Sequence, residues 1–375
     1  MRKGLAAAGV VALIAAGSAA CESAAQASPA GKVNTGFDKL SNAKSLTLGL
    51  HFDASADQIY AAMKGEKDFT KDDAKMLAGL EATFTVSSDK ALKDVKSGDK
   101  GGSVGVRLSG DSGKTGIFEL RSVDQKLYLR VDLKAAMKLD TSPSKSGDVA
   151  GINKFLGMAD SLPSSLASVK AALKGQWVSL DPKAFSQFAK SMGGAKGGGT
   201  GGGSDSLPGM SGLPGGKSLD TKTQKQFLAA LKKAAEHNAK YTDLGNHDGA
   251  DHVRATVLAR PFAKELQSAI APLGKQIPGY KPSDFNDVPN KSVSLEFAIK
   301  GGEIRSITFD VAQLDTKATG KLPLTLDLDG SADEIKAPEG AQQLNPQDLM
   351  GLFMAGFGGS DDTSSGSGSS DSLFS

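Results

Sequence analysis

Cysteine is almost absent: the 375-residue chain contains only Cys21. A single thiol excludes an internal disulfide framework, so a hydrophobic core must hold the fold together. Runs of five or more basic residues are also missing, and 44 Lys and Arg face 42 Asp and Glu. Arg2 and Lys3 account for the small excess. This charge balance argues against nucleic acid as a partner.

The first twenty residues have the pattern of a signal peptide. A short positive segment, Met1 to Lys3, precedes an apolar run from Leu5 to Ala20. The run is shorter than the roughly 20 apolar residues that span a bilayer permanently, and it suits a signal h-region. Two cleavage sites are open at this point, one after Ala20 and one at a later small-residue site such as Ala25-Gln26-Ala27.

Ser18-Ala19-Ala20-Cys21 resembles the lipobox of bacterial lipoproteins, apart from Ser18, where Leu is commoner. The resemblance implies that Cys21 receives a diacylglyceryl group on its sulfur before cleavage. Two acyl chains hold a protein stably on a membrane, whereas one binds only marginally. We therefore expect an exported protein, lipidated at Cys21 and anchored to the outer face of the cell membrane. The alternative is a freely secreted chain with an odd thiol.

Composition divides the rest of the chain. We predict a signal peptide at 1–20, a tether at 21–32, a structured domain at 33–341, a C-terminal helix at 342–357 and a disordered tail at 358–375. Within the domain, residues 193–217 are rich in glycine and have almost no large side chains, which predicts a flexible loop. The sequence leaves open whether this loop separates two domains or interrupts one sheet.

Apolar and polar residues alternate repeatedly, which is typical of antiparallel strands with one buried face. Leu46, Leu48, Leu50 and Phe52 form the first such series. The same period recurs in Val104/Val106/Leu108, Leu127/Leu129/Val131/Leu133, Val253/Ala255/Val257, Val293/Leu295/Phe297/Ile299, Ile307/Phe309/Val311 and Leu322/Leu324/Leu326/Leu328. Gly301-Gly302 joins two of the series and predicts a hairpin. Long twisted strands of this kind curl into an open or half-closed barrel.

Amphipathic segments follow helix-start sequences at Asp181-Pro182, at Ser218 or Asp220, at Arg260-Pro261 and at Asn345-Pro346. Their apolar stripes need a partner, and the apolar side of the sheet is the nearest one. We therefore predict an α+β fold, in which amphipathic helices cover the apolar face of a curved antiparallel sheet, a half-barrel.

Three short motifs carry residues used in catalysis or metal binding. Gly110-Asp111-Ser112-Gly113 is similar to the nucleophile loop of trypsin-like proteases, but we interpret it as a hairpin turn. The segment 215–218, GGKS, misses the phosphate-loop spacing by one residue. The segment 247–252, HDGADH, contains two histidines and two aspartates, which we expect a hairpin tip to scatter. We accordingly predict no catalytic residue, no metal and no cofactor.

The order of these elements is similar to that of exported lipoproteins with the LolA-like half-barrel, in the style of the actinobacterial LppX/LprG-type proteins. The resemblance covers most of residues 33–340 and depends on the lipobox, a helix with Phe37 and Leu40, and the segments SLTLGLHF, QKLYLRVDL, GQWVSLDP and DLGNHDGADHVRATV. The glycine-rich loop and the C-terminal helix depart from it. It implies a cavity for lipid or lipoglycan acyl chains, with ten candidate lining residues: Leu46, Leu48, Leu50, Phe52, Leu127, Leu129, Val131, Val293, Leu295 and Phe297.

The sequence thus predicts a non-enzymatic, membrane-anchored lipoprotein that binds or shuttles a hydrophobic ligand. The alternative is a cell-envelope interaction or sensor module with a solid core and no ligand. A third possibility, an extracellular hydrolase, would require a role for Ser112 or for His247 and His252.

Overall fold

A computed structural model describes residues 28–66, 68–95, 101–139, 156–157, 159, 162–184, 239–270, 288, 290–314 and 320–348. Several predictions lie outside these residues: the signal peptide at 1–20, lipidation of Cys21, the flexible loop at 193–217, the helix after 218–220 and the tail at 358–375.

The described helices are α1 Pro29–Asn42, α2 Ala56–Met63, α3 Lys71–Gly79, α4 Leu133–Leu139, α5 Ala167–Leu173 and α6 Ala259–Ile270. The strands are β1 Ser45–Phe52, β2 Glu81–Ser88, β3 Gly102–Gly110, β4 Thr115–Val123, β5 Lys126–Val131, β6 Val178–Leu180, β7 Ala239–His247, β8 Ala250–Leu258, β9 Ser292–Lys300, β10 Glu303–Asp310, β11 Pro323–Asp329 and β12 Gln342–Leu344. Short 3-10 turns lie at Leu92–Asp94, Ser164–Leu166 and Val311–Leu314.

In the part of the chain that the structure describes, twelve strands form one open sheet in the order β12-β6-β5-β4-β3-β2-β1-β11-β10-β9-β8-β7. Strands β1 to β6 form one antiparallel meander and β7 to β11 form another. The two meanders meet where β1 pairs antiparallel with β11, from Thr47↔Asp329 to Phe52↔Leu324. Strands from both sides of the glycine-rich segment therefore belong to a single sheet.

The sheet is mixed, whereas the sequence predicted an antiparallel one. The exception is β12, which pairs parallel with β6. It occupies 342–344, so the start of the predicted C-terminal helix is a strand, and helical structure begins only at 346. The predicted tether also ends early, because α1 begins at Pro29, where Ser28 caps it by accepting a hydrogen bond from the N–H of Gly31.

Two-residue turns close the hairpins at the predicted places. Gly301 and Gly302, between β9 and β10, have φ values of 62° and 72°. Asp248-Gly249 joins β7 to β8 in the same way, with φ values of 55° and 75°. Positive φ at both central residues defines the turn whose twist matches that of the flanking strands. These turns place the odd and even residues of each meander on fixed faces.

One face of the sheet is apolar across at least seven neighbouring strands. A row of directly paired residues crosses seven strands on this face: Leu328, Leu48, Phe84, Val106, Leu120, Leu129 and Val178. On the opposite face the matching row is polar in its centre, with Thr83, Arg107, Glu119 and Arg130. This separation is what period-two alternation predicts.

Helix α1 packs on the apolar face over β8, β9 and β10. Its Val33, Phe37 and Leu40 are buried and join the main core cluster. Phe37 meets Phe297 of β9 edge to face, with ring centroids 6.1 Å apart. At the helix start, Lys32 contacts Asp243 at 2.9 Å and Asp251 at 3.5 Å, one on each strand of the β7–β8 hairpin. The hydrogen bond from Lys32 lowers the pKa of Asp243.

Gly36 lets α1 approach β10 closely, and we expect Gly36→Ala to destabilise the fold. A Cβ at this position would lie 2.5 Å from Cγ1 of Ile304, which is fully buried. Alanine in a helix is ordinarily about 1 kcal/mol better than glycine. Overpacking a filled core costs about 1–3 kcal/mol, which exceeds that gain. Urea titrations should show a lower free energy of unfolding.

The matched control for this prediction is the Ile304→Ala background, in which the clashing side-chain atoms are gone. There Gly36→Ala should cost less than in the unaltered protein, because the side-chain clash is gone and only the 3.2 Å approach to the backbone nitrogen of residue 304 opposes the gain in helix propensity. An increase in the stability of the otherwise unchanged protein on Gly36→Ala would contradict the close packing of α1 on β10.

Candidate ligand-binding face

The side chains of the apolar face are buried to different extents along the sheet. Over β8 to β10, its side chains are buried beneath α1. Over β1 to β5, most of the corresponding side chains are only half-buried, although Leu120 is buried. The leucines of β1 pack against the core under α1, and Leu129 packs against the cluster that α5 forms with β6. We call this second region the β1–β5 apolar face; it consists of Leu46, Leu48, Leu50, Phe84, Val86, Val104, Val106, Leu108, Phe118, Leu127, Leu129 and Val131.

The face is continuous because the register of five antiparallel strands aligns its rows. One row runs through Leu48, Phe84 and Val106 and continues into β4 and β5. A second runs through Leu50, Ala82 and Leu108 and continues to Phe118 and Val131. The large apolar side chains on this face are half-buried, so each keeps some surface that a further apolar molecule can cover. The arrangement therefore supplies contact area for an apolar molecule.

Six of the ten predicted lining residues lie on this face: Leu46, Leu48, Leu50, Leu127, Leu129 and Val131. Phe52 instead packs in a separate cluster with Ile59 of α2 and Ala74 of α3. Val293, Leu295 and Phe297 are 4%, 5% and 4% exposed and pack in the core that α1 completes. These last three are therefore core residues, because α1 occupies the space that the prediction assigned to a ligand.

Sequence reasoning missed the contribution of β2 and β4 to the face. Phe84 and Val86 alternate with Thr83 and Thr85 in the segment ATFTVSS. That alternation was available as a signal, although the series is short. Phe118 lies one residue beyond the buried Ile117, and its place follows from pairing with Val131. The pairing itself could not be read from the local sequence.

On the opposite face, Glu119 lies at the centre of a cationic cluster. Its carboxylate oxygens are 2.8 Å from Arg130, 3.3 Å from Arg121 and 3.7 Å from Arg107. The guanidinium groups of Arg121 and Arg130 lie 4.6 Å and 5.7 Å from the ring centroid of Trp177. Glu119 itself is only 8% exposed. The cluster makes the centre of this side of β3 to β5 charged, although Val123 and Tyr128 are buried on the same side.

A surface cavity of about 520 Å³ brings Ser112 together with His51 and Asp327. The predicted hairpin turn is confirmed, since Ser112 lies between β3 and β4 with a φ of 53°. Nδ1 of His51 is 3.5 Å from a carboxylate oxygen of Asp327, whose pKa is raised by burial and by the nearby Glu81 and Asp53. Within the described residues, no hydrogen bond joins Ser112 to His51. The groups share a cavity without forming a nucleophile–base pair.

The expectation that the β7–β8 hairpin scatters its metal-type ligands is wrong for its histidines. The rings of His247 and His252 stack with their centroids 3.5 Å apart. Asp251 faces Lys32 on the side of the sheet where α1 packs. The two histidines therefore lie on the opposite face of the sheet from Asp251, with which the sequence grouped them.

No family model matches the chain, and no curated protein matches its sequence at a significant level. Among the helices that the structure describes, none has the length and apolar character needed to cross a membrane. The functional conclusion therefore depends on the surfaces of this chain alone.

Proposed function

We propose that the protein is a non-enzymatic lipoprotein, exported and anchored by lipid at Cys21, that binds or shuttles a hydrophobic ligand. The binding surface is the β1–β5 apolar face, within a curved half-barrel of the LolA-like kind whose helices cover the ligand. The observation that carries the proposal is the incomplete burial of the apolar side chains that β1, β2, β3 and β5 present on one face, in rows where only Leu120 of β4 is buried. If the face served only to complete a hydrophobic core, we would expect a helix to bury it, as α1 buries the side chains of β8 to β10.

The dimensions and energetics of the face suit acyl chains. Adjacent strands lie about 4.8 Å apart, so a row from β1 to β5 covers roughly 19 Å. A fatty acyl chain can lie along or across such a row. Each buried methylene contributes about 0.8 kcal/mol, so ten would contribute about 8 kcal/mol before the costs of ordering the ligand. No charged group is needed for this binding, and the face presents none along its two central rows.

The second candidate is an envelope interaction module that uses the same surface for a protein partner. The packed core under α1 favours this candidate. Val293, Leu295 and Phe297 were expected to line a cavity, but they pack against Phe37 and other core residues. The two candidates differ in what covers the β1–β5 apolar face. In the first it is a lipid, and in the second it is a segment of another protein.

Solvent extraction distinguishes the two candidates. We expect protein purified from native membranes without harsh detergent to release a defined lipid into organic solvent, detectable by mass spectrometry at a fixed ratio to protein. An unrelated lipoprotein purified in parallel serves as the control for carried-over membrane lipid. Absence of any lipid above that control, with a stoichiometric protein partner after crosslinking, would favour the interaction module instead.

A further inference from the structure

His247 and His252, which the sequence groups with two aspartates, meet Glu296 on the polar face of strands β7 to β9. His247 ends β7, His252 lies near the start of β8, and Glu296 lies in the middle of β9. Oε1 of Glu296 is 3.1 Å from Nδ1 of His252 and 4.0 Å from Nε2 of His247. One potential ligand atom from each residue falls within 4.8 Å of the other two.

A β-bulge in β7 brings His247 to this face. Residues Ala239, Tyr241 and Asp243 pair in step with β8, with Asp243 opposite Val253 on the side that α1 covers. The register then shifts, and Gly245 pairs with His252. A one-residue bulge moves every later side chain to the other face. His247 would otherwise lie on the same side as Asp243, away from His252.

Local chemistry holds the bulge in place. Gly245 has a φ of 85°, a left-handed conformation that glycine adopts without strain. Its N–H donates a 2.8 Å hydrogen bond to Oδ1 of Asp243, whose other oxygen accepts from Lys32. The position of His247 therefore depends on Asp243, which also holds α1 on the sheet through Lys32.

We infer that His247, His252 and Glu296 bind a zinc ion at this edge of the sheet. Two imidazoles and one carboxylate are a known three-ligand zinc set, with water in the fourth position. In tetrahedral geometry, two ligand atoms about 2.1 Å from zinc lie roughly 3.4 Å apart. The observed separations of 3.1 Å and 4.0 Å bracket that distance.

The surroundings of the three ligands support the site. Nδ1 of His252, which faces Oε1 of Glu296, is the nitrogen placed to bind the ion, and Nε2 lies on the far side of the ring. Arg254 contacts Oε2 of Glu296 at 3.2 Å, which orients the carboxylate and leaves Oε1 toward the histidines. The side chains of His247, His252 and Glu296 are 46%, 14% and 33% exposed, so an ion can reach them from solvent.

Zinc binding requires a small rearrangement of the rings. The two imidazoles are nearly parallel, at 19°. The lone pairs of stacked rings point side by side, so both reach one ion only if the rings tilt apart. Binding should therefore change the environment of both histidines, and it should link β7, β8 and β9 at the open edge of the sheet.

Calorimetric titration of the purified protein with Zn²⁺, in a buffer that does not bind metal, tests the site. His252→Ala should weaken binding at least about tenfold, since even outer-shell changes cost 10–100-fold at metal sites. Glu296→Gln should also weaken it, and Zn²⁺ should raise the melting temperature of the unaltered protein. Nuclear magnetic resonance should show the ring protons of His247 and His252 shifting together on titration.

His51→Ala is the matched control, because His51 is a half-exposed histidine on the polar face of β1, outside the three-residue site. It should leave zinc affinity unchanged. Equal affinities for His252→Ala and the unaltered protein, or an equal loss in His51→Ala, would overturn the assignment. Lipid content of the same preparations reports separately on the β1–β5 apolar face.

Discussion

Replacing Cys21 by serine is expected to remove the protein from the membrane. Serine lacks the sulfur that would carry the proposed diacylglyceryl group, so the chain should appear in the medium or keep its uncleaved leader. Two acyl chains give stable anchoring, and loss of both leaves only the weak affinity of the protein surface for lipid. Membrane fractionation, gel mobility and incorporation of a labelled fatty acid measure the effect, which should be close to complete.

Ser18→Leu is the control for the Cys21 prediction, because it brings the segment closer to the usual lipobox while leaving the sulfur in place. That variant should be processed and retained normally. Full membrane retention of a normally sized Cys21→Ser product would contradict the lipid anchor. The protein would then have to reach the membrane by some other route.

Val106→Asn is expected to abolish most lipid copurification. Val106 lies at the centre of the β1–β5 apolar face, paired with Phe84 on β2 and Leu120 on β4. An amide that loses water against an acyl chain without gaining a hydrogen bond costs about 1–3 kcal/mol. This corresponds to a loss of affinity of roughly five- to more than a hundredfold. Mass spectrometry of solvent extracts should show the bound lipid falling accordingly.

Thr85→Asn is the matched control, since it places the same side chain on the neighbouring strand but on the opposite face. Thr85 pairs with Gly105, directly beside Val106 in the chain, and its hydroxyl lies 2.9 Å from that of Thr47. This variant should keep its lipid. Melting curves must show that both variants fold. Equal lipid in the two folded variants would mean that the ligand, if any, binds elsewhere.

Alternation of apolar and polar residues predicted the strands well where they are long and have one face exposed to solvent. β1, β8 and β9 lie where the sequence placed them. Alternation failed at Leu133, which continues the series of β5 but begins α4. There Asp132 accepts a hydrogen bond from the N–H of Ala135, and this cap starts a helix in place of another pair of strand residues. β12 has only three residues, too few to show a period.

The candidate site could be predicted only in part. The inward side of each strand follows from alternation, but which part of that side is filled depends on where α1 docks. That position is set by contacts far apart in sequence, such as Gly36 against Ile304. The sequence grouped His247 with His252 but predicted that the hairpin scatters them, and this was wrong for a related reason. A one-residue register shift after Asp243 moves His247 to the other face of the sheet, and the local pattern of apolar residues does not predict this shift.

The pairing of β1 with β11 has a consequence for a chain that is cut. Strands β1 to β6 precede the glycine-rich segment, and β7 to β12 follow it. The two fragments from a single cleavage there would still share the β1–β11 ladder and the short contact between β6 and β12. Cleavage would therefore leave a noncovalent heterodimer, and two separately produced halves have the interface they need to reassemble into one sheet.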